Sequence, residues 1–197
     1  MKYDGMYYTL EENFSETSEL EWVNNKYRIG NFDKYKKLDP PKSILNLEIE
    51  SDDDRNPPVM GDFASVIHHV WSQRARDIIM ELASYRIQMF PAKITKGDHV
   101  FEHYYFMNCF DEIPAMHKDR SDYSLSRSGL TYFIESLSLD ENVLDQIPED
   151  QRMIFALEEK AAYYLYHEKV VNALKDISAT GFSFVKVKDW IIGSAFD

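Results

Sequence analysis

The sequence predicts an α+β fold with a mixed, mainly antiparallel sheet and a few helices. Three observations lead there. Alternating apolar and polar stretches that read as strands are spread along most of the chain. Two segments carry the three-to-four spacing of amphipathic helices. Strands and helices do not alternate in the regular way that builds a parallel sheet.

In chain order, residues 6–10 (MYYTL) form a first candidate strand, and residues 22–29 (WVNNKYRI) a second, unless Asn24-Asn25 make a turn. Residues 33–43 read as a loop, because Pro40-Pro41 blocks regular hydrogen bonding. Leu45, Leu47 and Ile49 alternate with Asn46, Glu48 and Glu50, the pattern of a half-buried strand. The run SDDDRNPP, residues 51–58, joins a charge cluster to two prolines and marks the best internal boundary. Ser72 suits a helix N-cap, and Ala75, Ile78, Ile79 and Leu82 follow at helical spacing. Ile87 and Met89 then open a strand, 87–94.

Further strands are expected at 103–110, 130–139 and 152–157, with an acidic turn or short helix at 140–151 around Pro148. Val170, Ala173, Leu174 and Ile177 mark a last helix, with Thr180-Gly181 as its expected end and Phe182, Phe184 and Val185 as the strand that follows. This helix–turn–strand order repeats the earlier one 95 positions on: His167 matches Ser72, Tyr166 matches Trp71, Phe182 matches Ile87 and Phe184 matches Met89. It is either a duplicated unit or the coincidence that amphipathic helices share spacing by construction.

The chain has 197 residues, 44% of them hydrophobic, which suits a single domain over 1–197 with residues 1–58 as a candidate N-terminal subregion. The single cysteine, Cys109, cannot close an internal disulfide. The polar, acidic start lacks the apolar core of a signal peptide, and no apolar run approaches the ~20 residues that span a bilayer, so a cytoplasmic protein is expected. A net charge of −12 opposes binding to nucleic acid or anionic membrane and favours a basic protein partner.

The sharpest enzyme pattern is His99-Val100-Phe101-Glu102-His103, the H-x-x-E-H order of inverted zinc peptidases. That chemistry needs both histidines on one helical face, whereas the stretch runs into HYYFMNCF, a strand in which positions four apart lie ~13 Å apart. A metal-dependent hydrolase is therefore only the alternative reading. His68-His69 are expected on opposite faces, one inside and one out. His117 lacks a second ligand pair, and Cys109, among aromatics, reads as a small core residue. Asp52, Asp53 and Asp54 open like a calcium loop, but Pro57 and Phe63 stand where glycine and glutamate are needed. No phosphate-binding or nucleophile motif is present, and no catalytic residue, metal or cofactor is assigned.

Residues 104–123 (YYFMNCFDEIPAMHKDRSDY) lie within a longer order of segments. Before them stands SQRARDIIMELASYRIQMFPAKI. Within them come Asn108 and then Asp119, Ser121 and Tyr123. After them follow Ile154-Phe155, the helix EKVVNALKDI and Thr180-Gly181-Phe182-Ser183-Phe184. This order, over roughly residues 60–190, resembles a bacterial polymorphic-toxin immunity family, the eleventh such family, named after a myxobacterial immunity domain. Ala156, where a basic residue is expected, and His167, where a small cap residue is expected, depart from the pattern. The resemblance implies a cytoplasmic, non-enzymatic protein that binds and neutralises a cognate toxin, delivered by a contact-dependent or type VI route. Charge points to Asp52, Asp53, Asp54, Glu11 and Glu12 as contact residues.

Overall fold

The computed structural model describes residues 1–23, 36–50, 52–66, 68–160 and 163–192. The elements are β1 (Tyr7–Glu12), β2 (Leu20–Trp22), β3 (Leu45–Ile49), β4 (Phe63–Ser65), β5 (His69–Ser72), α1 (Gln73–Leu82), β6 (Ile87–Lys96) and β7 (His99–Cys109). They continue as β8 (Glu112–Ile113), β9 (Asp122–Leu125), β10 (Thr131–Ser136), α2 (Glu141–Leu144), β11 (Ile154–Leu157), β12 (Tyr164–His167), α3 (Glu168–Asp176) and β13 (Phe182–Lys186). The fold is α+β, with two mixed, mainly antiparallel sheets: one in the order β2-β3-β6-β7-β5-β4, the other β13-β1-β12-β11-β8. β9 and β10 form a separate hairpin. Among the described residues, no helix is long and apolar enough to cross a membrane.

Most of the expected strand at 22–29 lies outside the described residues. β3 shows the strict in–out burial its alternation predicts. Ser72 caps α1 by accepting from the Ala75 N–H. The end of α3 differs from expectation. The helix stops at Asp176, and Ser178 takes the left-handed turn at φ +51°. Its N–H and that of Ala179 bond back to Lys175 and Leu174, a Schellman closure. Gly181, at φ +93°, has a different task. Its Cα carbon faces the backbone of Phe63 so closely that an added Cβ would stand 2.4 Å from the Phe63 carbonyl oxygen.

The 95-residue repeat is structural. β5, α1 and the start of β6 correspond at a constant offset to β12, α3 and the start of β13, α3 ending one residue earlier than α1. In the first unit β7 lies between β5 and β6, antiparallel to both; in the second, β1 lies between β12 and β13, also antiparallel to both. The registers agree. Tyr105 faces Trp71 and Pro91, while Tyr8 faces Tyr166 and Lys186, each partner shifted by 95. The central strand follows its unit in the first case and precedes it in the second, so the units are related by a circular permutation.

The two units pack through equivalent residues, as in a two-fold interface. His69 meets Tyr164 with ring centroids 4.6 Å apart, Trp71 meets Tyr166 at 6.1 Å, and α1 lies against α3. The central core, with Trp71, Ile79, Met107, Tyr166 and Leu174, fills the space between them. A second core lies on the outer face of the β1 sheet, around Tyr7, Phe155 and Leu165. A third lies on the outer face of the β3 sheet, around Leu47, Ile94 and Phe106.

Candidate functional site

Acidic side chains gather where β1 and β3 end and β2 begins. After β1 the chain turns at Asn13, whose side-chain oxygen accepts from the N–H and hydroxyl of Ser15. Arg55 reaches this turn from the 52–58 loop, donating to the carbonyls of Phe14 (2.9 Å) and Thr17 (3.1 Å). The same guanidinium grips Asp53 with two bonds of 2.9 and 2.6 Å. Lys96 also donates to the Asp53 carbonyl. The loop is thus clamped to the body of the protein, and Asp53, whose side chain is only 6% exposed, belongs to the clamp. Arg55 holds the Asp53 carboxyl well below the usual carboxylate range.

Two adjoining clefts share Phe14 and Glu19 in this region. Among the described residues, their walls carry Glu12, Glu19, Glu21, Glu50 and Asp52 to Asp54, against one basic lining residue, Arg55. Glu19, Glu21, Asp52 and Asp54 are exposed. Phe14 sits among them, 48% exposed. Burial, then Glu19, Asp52 and Glu21, raise the pKa of Glu50, so these charges feel one another. Glu21 also stands directly opposite Glu48 in the β2–β3 ladder. Like charges facing across strands are unfavourable by ~0.2–1 kcal/mol.

The five residues chosen by charge occupy four settings, the first being the Arg55 clamp that holds Asp53. Asp52 and Asp54 are open in the second cleft. Glu12 is partly buried, accepting from the Ser65 N–H (3.0 Å) and hydroxyl (2.5 Å); burial, which outweighs those bonds, raises its pKa. Glu11, its sequence neighbour, accepts instead from Trp190 Nε1 at 3.0 Å and lines a different cleft. Sequence reasoning missed Phe14, Glu19, Glu21 and Glu50. Their signal was available in Glu19-x-Glu21 and Glu48-x-Glu50, where charges of one sign alternate along strand-like segments.

The His99–His103 stretch lies in β7 as a strand, and His99, Glu102 and His103 are all exposed. Glu102 and His103 together oppose Lys93 in a β-bulge, with His103 at φ +65°. Among the described residues, no group of three or more His, Cys, Asp or Glu is placed to hold a metal ion. His68 and His69 do take opposite faces, but neither is turned out to water. His68 is 4% exposed against Phe106, and His69, half-buried, stacks on Tyr166 and stands edge-on to Phe63 and Trp71. Two buried faces flank that strand, so alternation there separates two cores. Cys109 is buried, its thiol pushed up to about 12 by desolvation.

No curated protein matches the chain. Residues 17–189 match the immunity protein family Imm11, over most of the chain and over both structural units apart from β1. The chain therefore belongs to the Imm11 immunity protein family.

Proposed function

We propose that this protein acts in the cytoplasm, without catalysis, by binding a cognate toxin and blocking it. Family membership carries the immunity role. The paired acidic clefts support the place of contact, with Glu19, Glu21, Asp52 and Asp54 as the steering charges and Phe14 as an apolar anchor at their centre. Nearly all of this surface comes from residues 1–58, so the N-terminal subregion supplies the partner face. A basic toxin surface would be drawn to it over the screening length of ~8–10 Å.

The test is co-expression with the toxin domain encoded beside the gene, followed by co-purification and association kinetics. Rescue of growth and a stable complex are expected. The triple variant Glu19→Lys, Glu21→Lys, Asp52→Lys should keep its melting temperature and lose roughly 10- to 100-fold in association rate at low salt. Unchanged kinetics in a correctly folded triple variant would move the contact face elsewhere. Cell death with soluble protein and no complex would remove that toxin as the partner.

A further inference from the structure

The second acidic cleft, about 470 Å³ in volume, is lined by two separate stretches of chain. One is the segment after β1, with Phe14, Ser15 and Glu19; the other is the loop from Asp52 to Arg55. Neither is helix or strand, and Phe14, Asp52 and Asp54 are exposed. One guanidinium joins them. Arg55 Nη1 donates to the Phe14 carbonyl at 2.9 Å, and Nη2 donates to the Thr17 carbonyl at 3.1 Å. Nε and Nη2 hold the two oxygens of Asp53 at 2.9 and 2.6 Å. The Arg55 backbone N–H donates to the same carboxylate at 3.0 Å, so the loop is closed on itself as well as on its neighbour. Lys96, at the end of β6, donates to the carbonyls of Glu50 and Asp53 and ties down the loop's start.

Arg55 acts on a basic partner in two opposed ways. As a charge it repels one, standing in a wall of exposed carboxylates. As a joint it favours one, because it fixes Phe14 at a set spacing from Asp52 and Asp54 before contact. A loose face must be ordered on binding, at a cost in affinity that a fixed face avoids. Charge at an interface acts chiefly on the association rate, and order acts chiefly on the lifetime of the complex. The joint depends on the flat fork of a guanidinium, which reaches four acceptors at once and which an ammonium does not copy.

We infer that Arg55 is a positioning residue of the partner face, and that its bonds to Phe14, Thr17 and Asp53 strengthen binding to a basic toxin although its charge opposes it. The inference rests on the acidic clefts being that face. Its test uses two variants of the full chain that change charge in opposite senses: Arg55→Gln removes a positive charge, Asp53→Asn a negative one, and both break the grip. In the free protein, hydrogen exchange should quicken about tenfold in both variants at the amides of Glu16, Thr17 and Asp53, which bond to Asn13 and Glu50, and stay unchanged in β6 and β7. With the toxin, both complexes should dissociate roughly tenfold faster. Association at low salt should rise for Arg55→Gln and fall for Asp53→Asn, a split that a general loss of stability would not produce. Arg55→Lys, which keeps the charge and loses the fork, serves if Arg55→Gln melts early; its complex should also dissociate faster, with association unchanged. Unchanged exchange in the folded variants, or a longer-lived complex with Arg55→Gln, would overturn the inference and leave the proposed function standing. Faster exchange with unchanged lifetime of the complex would instead move the contact face away from the acidic clefts, and the binding role of Arg55 would fall with it.

Discussion

Replacing Gly181 by alanine tests the joint between the two units. Gly181 sits at φ +93°, where a side chain costs ~1–2 kcal/mol of backbone strain. Its new Cβ would also stand 2.4 Å from the Phe63 carbonyl oxygen, too close for the two to stay in place. To relieve the overlap, the segment must pull away from β4. That movement strains the bonds from the Asp62 and Phe63 N–H groups to the Thr180 carbonyl, 2.9 and 3.2 Å long, each worth ~1 kcal/mol. Together these give about 3–4 kcal/mol of destabilisation, or roughly a 10 °C drop in Tm for a chain of this size. The assay is urea unfolding followed by circular dichroism, with thermal melting alongside. Gly5→Ala is the control: a Cβ there meets nothing within 4 Å, and a change within ~0.5 kcal/mol is expected. Loss of less than about 1 kcal/mol in Gly181→Ala would refute the reasoning that this close approach holds the units together.

Two further outcomes follow from the titrating groups. Asp53, held down by Arg55, and Asp62 have depressed folded pKa values; for Asp62, burial pushes up but Arg74, Ser72 and Thr180 win. Their contribution is full above the ordinary carboxylate pKa of 3.8 and is lost as pH falls below it. Burial gives Glu12, Glu50, Asp111 and Glu159 raised values, so they favour the folded state increasingly as pH falls from neutrality towards 4.5. Urea midpoints measured from pH 8 to pH 3 should therefore rise slightly and then drop; a monotonic fall from pH 8 would contradict this. Cys109 should resist a thiol reagent at pH 8 in the native state and react with one equivalent in urea, since burial keeps its thiol protonated. Rapid labelling of the folded protein would show that the core around it opens.

Local signals were legible in the sequence, and long-range ones were not. Ser72 and the spacing of Ala75 and Ile79 were enough to place α1 with its cap. The alternation of Leu45, Leu47 and Ile49 was enough for β3. The repeat offset could be read from side-chain types, but the seating of β1 within the second unit depends on partners more than 150 positions away. Short strands such as β4, β5 and β8 have too few residues to show a period. At Thr180-Gly181 the glycine was visible but its reason was not, because the demand comes from Phe63 across the joint. For the candidate site, charge alone pointed to Asp52 and Asp54, which lie open in the second acidic cleft. It could not separate Glu11 from Glu12, which a two-residue strand period sends to opposite sides.

The permuted order of the units has a consequence for synthesis on the ribosome. β4, β5, α1, β6 and β7 emerge in one stretch, residues 63–109, and can assemble once Cys109 has left the ribosome. The other unit must wait, because its central strand is made first and its flanking strand β13 last. At ~5–20 residues per second, β1 spends roughly ten to thirty seconds without its neighbours. During that interval Tyr7, Tyr8 and Leu10 form an unpaired apolar stretch, and Glu11 and Glu12 act as charged gatekeepers against its joining another chain. Closing the β1 sheet is then the last event in folding during synthesis, and pulsed hydrogen exchange on stalled nascent chains should show its amides protected after those of β6 and β7.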